Sequence, residues 1–189
     1  MFSYLSNASA ITFIVIATLS FYFISAIYIF LYRYKIIKYR LRVEQESLNS
    51  LYTSNSTNPN PLSIFATYKK RDHKDLEKIL KAAINDTVRI FTSSLTYLSI
   101  IASTSPFIGL FGTVVGILEA FSRLGDLKSA SLNVVAPAIS EALIATAVGI
   151  FVAVFAYSFH LILKRKIYEL SSVLESELDI IASRENKSV

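Results

Sequence analysis

The stretch SEALIATAVGIFVAVF, residues 140–155, contains two side chains that can handle a proton, the carboxyl group of Glu141 and the hydroxyl of Thr146. A carboxylate deep in hydrocarbon is costly unless it faces water or a partner, so an acid inside a membrane segment is a candidate functional residue. The alternative for Glu141 is a partly hydrated position near the outer interface. A threonine in an apolar helix usually bonds the carbonyl four residues earlier, and this alternative applies to Thr146 and to Thr113 in GLFGTVVGI.

The composition indicates a membrane protein and provides no enzyme site. Of the 189 residues, 53% are hydrophobic and 17% are charged, and the mean hydropathy is +0.49. Cysteine is absent, which excludes disulfides and thiolate metal sites, and His73 and His160 do not have a zinc spacing. Phosphate loops, dinucleotide fingerprints and nucleophile elbows are also missing. We therefore expect no catalytic residue, no metal, no cofactor and no enzymatic activity.

Three apolar stretches are long enough to cross a membrane. They are residues 11–31, the uncharged residues between Arg89 and Glu119, and residues 129–163, in which Glu141 is the one formal charge. About 20 helical residues cover the ~30 Å hydrocarbon core. Basic residues follow the first stretch in RYKIIKYRLR and the third in KRK, which places these ends in the cytoplasm and the N-terminus outside. A basic run can bind nucleic acid, but directly after a membrane span it is an orientation signal, so we expect no nucleic-acid partner.

The predicted fold is an all-α integral membrane protein with three transmembrane helices and long cytoplasmic helical extensions. Its predicted segments are a periplasmic N-terminus and first transmembrane helix at 1–32, a cytoplasmic helical segment at 33–90 with a linker at 50–63, a second transmembrane helix at 91–121, a short periplasmic loop at 122–132, a third transmembrane helix at 133–163 and a cytoplasmic C-terminal helix at 164–189. The linker is rich in asparagine and proline, and residues 67–91 have the repeat of an amphipathic helix with a solvated charged face.

Small residues recur about one helical turn apart in the second and third spans. They are Gly109, Gly112 and Gly116 in the second span, and Ala142, Ala145 and Gly149 in the third. Small side chains let helix backbones approach closely, and this packing drives helix association in lipid. We predict that these faces pack the spans together and also pack subunits together. A non-conducting membrane scaffold would use the same small residues, but it would have no need for an acid and two hydroxyls.

Two long motifs carry a more specific signal: SPFIGLFGTVVGILEAF at 105–121 and VVAPAISEALIATAVGIFVAVFAYSFH at 134–160. In composition, order and separation they resemble the MotA/TolQ/ExbB family of proton-channel subunits, and within it TolQ and ExbB most closely. The motifs cover about residues 90–165, and the three-span topology covers the whole chain. MotA is less similar, because its four spans and large cytoplasmic domain are missing.

The resemblance implies a homopentameric ring in the bacterial inner membrane, with the second and third spans lining a central pore. In this family the pore holds two copies of a TolR- or ExbD-like single-span partner, each with a membrane aspartate that the proton motive force protonates. Torque or pulling then reaches a TolA- or TonB-like protein and the outer membrane, while membrane lipids surround the ring. By motif match, Thr113 and Thr146 correspond to the pore threonines near that aspartate, and Glu141 corresponds to the acid of the EALxATA run. The proton is the implied coupling ion.

The sequence departs from the usual family pattern at four places and leaves the subfamily open. Ala138 stands where glycine is common, Val115 where tryptophan is common and Phe155 where proline is common. The asparagine expected after the tyrosine region is replaced near His160. These changes leave the threonines and Glu141 intact but alter local helix geometry. The short outside N-terminus and Ile144 in EALIATA favour TolQ and a Tol-Pal role in envelope integrity and division. The alternative is an ExbB-type energiser of TonB-dependent uptake. An enzyme in residues 33–90 has no supporting nucleophile, metal set or phosphate loop.

Overall fold

The computed structural model describes residues 10–53, 59–69, 76–125 and 132–185, and these fold almost entirely as helix. The helices are α1 (Ala10–Thr53), α2 (Ile64–Lys69), α3 (Leu76–Gly125) and α4 (Leu132–Glu185), and no strand occurs in the described ranges. Three helical segments, Ile11–Thr53, Glu77–Ser122 and Ala136–Arg184, each contain a stretch that is long and apolar enough to cross a membrane. The predicted all-α class with three spans is confirmed.

The long helices continue past the boundaries drawn from the sequence. α1 runs through the basic segment to Thr53, inside the linker predicted at 50–63. α4 runs from the third span to Glu185 as one helix, so the C-terminal helix predicted at 164–189 continues directly from that span. Residues 31–53 and 161–185 contain no glycine or proline, so nothing interrupts helical hydrogen bonding where the apolar segment ends.

Smaller differences concern α3. It ends at Gly125, so residues 122–125 of the predicted periplasmic loop are helical. The amphipathic helix predicted at 67–91 corresponds to the end of α2 and the beginning of α3, and residues 70–75 between them lie outside the described ranges. Glycine is a common helix terminator, which is consistent with the end of α3.

The chain divides into two compact units, and the first comprises Met1–Ile29 and Tyr97–His160. Within it, the beginning of α1 packs with the second half of α3 and the first half of α4. Its buried apolar residues include Val15, Leu19, Ala26, Leu98, Ile101, Ala145, Val152 and Ala156. Many large side chains are exposed instead, among them Phe21, Ile24, Phe107, Phe111 and Leu118. An exposed apolar surface of this kind suits lipid or another subunit.

Three phenylalanines join α1 to α4 in this unit. The ring centroid of Phe23 lies 5.6 Å from that of Phe151 and 5.7 Å from that of Phe155, and the latter two are 4.7 Å apart. These distances are typical of favourable aromatic contacts. Phe155, the residue where the family commonly has proline, thus packs against the first span.

The second unit comprises Phe30–Thr96 and Leu161–Val189. The ends of α1 and α4, the beginning of α3 and the short helix α2 share a core that includes Ile37, Leu41, Leu51, Phe65, Leu80, Ile84, Leu170, Leu174 and Ile181. Arg184 Nη2 donates a hydrogen bond of 2.8 Å to the carbonyl oxygen of Leu51, which ties the end of α4 to the end of α1.

Candidate functional site

The backbones of α3 and α4 are in direct contact at Gly109 and Gly149. A Cβ atom on Gly109 would lie 2.7 Å from the carbonyl oxygen of Ala145 and 3.2 Å from Gly149 Cα. A Cβ atom on Gly149 would lie 2.7 Å from the carbonyl oxygen of Ser105. Ordinary van der Waals contacts of a Cβ atom are 3.4–4 Å, so any side chain at either position would force the two helices apart.

The other small residues extend this close contact along the helices. A Cβ atom on Gly112 would lie 2.9 Å from Val15 Cγ1 on α1 and 3.0 Å from Ala145 Cβ on α4. A Cβ atom on Gly116 would lie 2.9 Å from Ala142 Cβ. The structure therefore brings together all six residues predicted to pack the spans.

This close approach places the hydroxyls of Thr113 and Thr146 in hydrogen-bond contact with each other. Thr113 Oγ1 lies 3.2 Å from the carbonyl oxygen of Gly109 and 3.3 Å from that of Ala142 across the interface. Thr146 Oγ1 lies 3.2 Å from the same Gly109 oxygen, also across the interface. One partner of Thr113 is the carbonyl oxygen four residues earlier on the same helix, whereas Thr146 bonds to a carbonyl oxygen of the opposite helix. The alternative that both threonines bond only to their own helix therefore does not account for these contacts.

The two hydroxyls face more hydrogen-bond acceptors than they have protons to donate. Each hydroxyl has one proton to donate and two lone pairs that accept, and the two hydroxyls face the carbonyl oxygens of Gly109 and Ala142 as well as each other. Rotation about the two C–O bonds therefore redistributes the donors without ionising either residue. No lysine or arginine occurs in residues 97–122 or 136–160, so these segments contribute no fixed cation that would repel a proton.

Glu141 is separate from the hydroxyl pair. It is half-buried and is not among the hydrogen-bond partners of Thr113 or Thr146. Five residues along a helix correspond to about 7.5 Å of rise and about 140° of rotation. Glu141 thus lies about one and a half turns from Thr146 and on a different face of α4.

Two polar residues at this interface were not predicted as site residues. Ser105 is fully buried and donates a 2.6 Å hydrogen bond to the carbonyl oxygen of Ile101. Thr12 on α1 is also buried, and its Oγ1 would lie 3.8 Å from a Cβ atom on Gly116. The sequence does contain a signal for Ser105, because it precedes Gly109 by four residues and so lies on the same face of α3.

Comparison with known proteins gives one family and several relatives. Residues 45–176 match the MotA/TolQ/ExbB proton channel family. The chain is 42% identical over 184 residues to the "Putative biopolymer transport protein ExbB-like 1" of Helicobacter pylori, covering 96% of each chain. It is 46% identical over 81 residues to the "Tol-Pal system protein TolQ" of Haemophilus influenzae, covering 43% of this chain and 36% of the relative.

A relative named ExbB matches a similar portion of the chain. The "Biopolymer transport protein ExbB" of Xanthomonas campestris is 41% identical over 87 residues, covering 44% of this chain and 34% of the relative. Relatives named TolQ and relatives named ExbB thus both match, so the names alone do not separate the two roles. The resemblance inferred from the two motifs is confirmed, and the chain belongs to the MotA/TolQ/ExbB proton channel family.

Proposed function

We propose that this chain is a proton-channel (stator) subunit of the bacterial inner membrane that, with a TolR- or ExbD-like partner, converts the proton motive force into mechanical work on the periplasm and outer membrane. The observation that carries the proposal is the hydroxyl pair Thr113–Thr146 between α3 and α4, in a chain of a proton channel family. The proposed orientation has a periplasmic N-terminus and a cytoplasmic C-terminus, following the basic residues after the first and third spans.

The hydroxyl pair suits a partner carboxyl group that alternates between two charge states. An ionised carboxylate needs hydrogen-bond donors, whereas a protonated carboxyl group also needs an acceptor for its own proton. Thr113 and Thr146 can serve both states by reorienting their O–H bonds. A site shielded from water also raises the pKa of an aspartate toward the range in which a proton gradient changes its occupancy.

The proposed assembly is a homopentamer with two partner spans in its pore. The exposed apolar side chains of the first unit supply a surface for neighbouring subunits and for lipid. The close contact at Gly109 and Gly149 fixes the position of α3 relative to α4 in each subunit. The two hydroxyls are therefore held in place as the partner moves. No cofactor takes part in this mechanism, and the proton is the coupling ion.

Glu141 is proposed to organise the ring or hydrate the outer mouth of the pore, and it does not carry the proton between the threonines. Its position on a different face from Thr146 supports this division of roles. Replacement of Glu141 by glutamine should therefore reduce energised function less than removal of the Thr146 hydroxyl does.

Two envelope systems fit this proposal. The EALIATA motif favours a Tol-Pal role. The nearly full-length match to a relative named ExbB-like 1 favours the second candidate, an ExbB-type energiser of outer-membrane uptake. Deletion of the gene separates them, because loss of a Tol-Pal subunit gives periplasmic leakage and division defects, whereas loss of an ExbB-type subunit stops TonB-dependent uptake.

The hydroxyl role is tested with Thr146→Val and its matched control Thr146→Ser. Valine keeps the branched shape and removes the hydroxyl, while serine keeps the hydroxyl. Proton flux into liposomes that contain the subunit and its partner should fall at least about tenfold in Thr146→Val, since positioned proton-transfer groups contribute about 10²–10⁴-fold, and it should be largely retained in Thr146→Ser. Protein level and oligomeric state should match the wild type in both.

A different result would identify the chain as a scaffold. If Thr146→Val and Thr113→Val both assemble and both retain full proton flux and energised function, the threonines are packing residues and the proton-channel role of the pair is refuted. If Thr146→Ser is as inactive as Thr146→Val, the hydroxyl alone does not account for the role of Thr146, and the branched shape of the side chain is required as well.

A further inference from the structure

Two glutamates are fully buried in the apolar core of the second unit. Glu44 lies on α1 three residues after buried Leu41, and Glu177 lies on α4 between buried Leu174 and Ile181. Neither takes part in an ion pair within the part of the chain that the structure describes. Since buried glutamates normally need a cation or several hydrogen-bond donors, the two carboxyl groups require an explanation.

Glu44 obtains its donors from the segment of residues 59–66. Its Oε2 accepts a 2.7 Å hydrogen bond from the Ser63 hydroxyl, and its Oε1 accepts a 3.1 Å hydrogen bond from the backbone N–H of Ile64, the first residue of α2. One turn further along α1, Ser47 Oγ accepts a 3.0 Å hydrogen bond from the backbone N–H of Asn60. The Glu44 carboxyl group thus holds this segment against α1.

Glu177 has fewer donors. Among the described residues, neither of its carboxyl oxygens has a partner within hydrogen-bonding distance, and the donor that faces it is the Ser47 hydroxyl. Burial raises the pKa of Glu177 from its ordinary value of 4.5 to about 8, the Ser47 hydroxyl opposes the rise, and the neighbouring Glu44 carboxyl group adds to it. Burial and a second carboxyl group both favour the protonated form.

No cation in the described surroundings offsets these effects. Residues 59–66 contain no titratable side chain. On α3, Lys81 is exposed and forms a 2.6 Å ion pair with Glu77. On α4, Asp179 is exposed, and Arg184 donates to the carbonyl oxygen of Leu51. Glu44 is the titratable group that faces Glu177 from α1.

We propose that Glu44 and Glu177 form a proton-binding site in the second unit, in which Glu177 holds one proton while the carboxyl oxygens of Glu44 cap α2. Two adjacent buried carboxylates cannot both ionise at low cost, and the proton goes to Glu177, because Glu44 has the Ser63 hydroxyl and the Ile64 N–H as donors within hydrogen-bonding distance and Glu177 has none at that distance. The ligand of this site is the proton itself, and the structure that depends on its binding is the attachment of residues 59–66 to α1. This site is distinct from the threonine pair of the first unit and does not rest on the proposed channel function.

The pH dependence has a defined sign and shape. Asn60 donates to Ser47, and the Ser47 hydroxyl also faces Glu177, so we expect detachment of residues 59–66 to admit water to Glu177. Its pKa then returns toward 4.5, whereas the pKa in the closed state is about 8. Between these two values opening releases a proton, so it becomes easier by about tenfold per pH unit as the pH rises. Above the closed-state pKa the proton is absent from both states, and the pH dependence ends.

Hydrogen exchange of the full-length protein in lipid nanodiscs measures this opening. The readout is the protection of amides in residues 60–66, including Ile64 and Phe65, after correction for the intrinsic pH dependence of exchange. Exchange is measured from about pH 5.5 to about pH 9. As the pH rises, wild-type protection should fall by about tenfold per pH unit and then level off near pH 8. Infrared spectra at neutral pH should also show the carbonyl band of a buried protonated carboxyl group.

Three variants separate the proton site from a general loss of structure. Glu177→Gln mimics the protonated form, so its protection should not depend on pH and the infrared band should disappear. Glu175→Gln, an exposed site on the same helix, should behave as the wild type. Glu44→Gln weakens the cap, so its protection should be lower across the range.

The proposal is overturned if wild-type protection of residues 60–66 does not change with pH, or if Glu177→Gln keeps the wild-type slope. The wild-type slope and the infrared band need no variant, so the test remains decisive even if a substitution prevents folding.

Discussion

Gly109→Ala adds one methyl group at the closest contact of α3 and α4. The new Cβ atom would lie 2.7 Å from the carbonyl oxygen of Ala145 and 3.0 Å from Thr146 Cα, both backbone atoms that cannot rotate away. To reach an ordinary contact of 3.4 Å, the helices must separate locally by about 0.7 Å (3.4 minus 2.7). Such a shift would lengthen the 3.2 Å contact between Thr146 Oγ1 and the Gly109 oxygen to about 3.9 Å, beyond hydrogen-bonding distance.

The expected loss in the free energy of unfolding combines three contributions. Forcing a methyl group into a filled interface costs about 1–3 kcal/mol, and each interhelical hydrogen bond lost in a membrane protein costs about 0.6 kcal/mol. Replacing glycine by alanine in a helix returns about 0.5–1 kcal/mol. The net destabilisation is about 1–3 kcal/mol, which for a chain of this length lowers Tm by about 2–12 °C.

Thermal unfolding of the purified protein in one detergent measures this cost, and proton flux with the partner measures its effect on function. Gly149→Ala should behave like Gly109→Ala, because its Cβ atom meets the Ser105 carbonyl oxygen at 2.7 Å. Gly112→Ala is the matched comparison, since its obstacles are the side chains of Val15 and Ala145, and it should cost less. Ser99→Ala, an exposed site on α3, serves as the neutral control.

The reasoning fails if Gly109→Ala is as stable as the wild type, or if Gly112→Ala is the more destabilising change. It also fails in its functional part if Gly109→Ala unfolds at a lower temperature yet conducts protons normally. That result would mean that proton movement does not depend on the alignment of Thr113 with Thr146.

Two further predictions concern stability in each unit. A double-mutant cycle of Phe23→Ala and Phe155→Ala, followed by thermal unfolding, should give a coupling energy of about 0.5–1.5 kcal/mol, and a coupling of zero would mean that these rings do not join α1 to α4. Ser63→Ala leaves the buried carboxylate of Glu44 with one donor fewer and should cost about 1–3 kcal/mol. Ser50→Ala, which loses only a local bond to the Ser47 carbonyl, should change stability little, and equal effects of the two serine variants would contradict the role assigned to Ser63.

The spans and their packing face could be predicted from local sequence patterns. Long uncharged stretches predict membrane-spanning helices, because backbone groups in lipid must be paired within a helix. The spacing of Gly109, Gly112 and Gly116 indicated which face of α3 makes close contact. The Thr113–Thr146 contact follows from the same faces, although the direct hydrogen bond between the two hydroxyls depends on the backbone separation, which the sequence does not specify.

The buried acids were not predicted, because the C-terminal segment was predicted only as a cytoplasmic helix and no burial was assigned to its acidic residues. Glu177 is separated from Glu44 by 133 positions, so no local pattern connects them. A partial signal was present: Glu177 falls on the stripe of Leu170, Leu174 and Ile181, and Glu44 falls on the stripe of Ile37, Leu41 and Leu51. An acid in an apolar stripe predicts burial, but its partner is defined only by the tertiary packing.

The contact between Gly109 and Gly149 also limits which second mutations can compensate for a substitution at either position. A Cβ atom on Gly149 would lie 3.0 Å from Gly109 Cα, and one on Gly109 would lie 3.2 Å from Gly149 Cα. In most packed pairs a larger residue on one side can be accommodated by a smaller residue on the other, but no amino acid is smaller than glycine. A second mutation at the facing position therefore cannot rescue Gly109→Ala or Gly149→Ala. Genetic suppressors of either substitution should lie elsewhere, at positions that let the whole of α3 shift relative to α4.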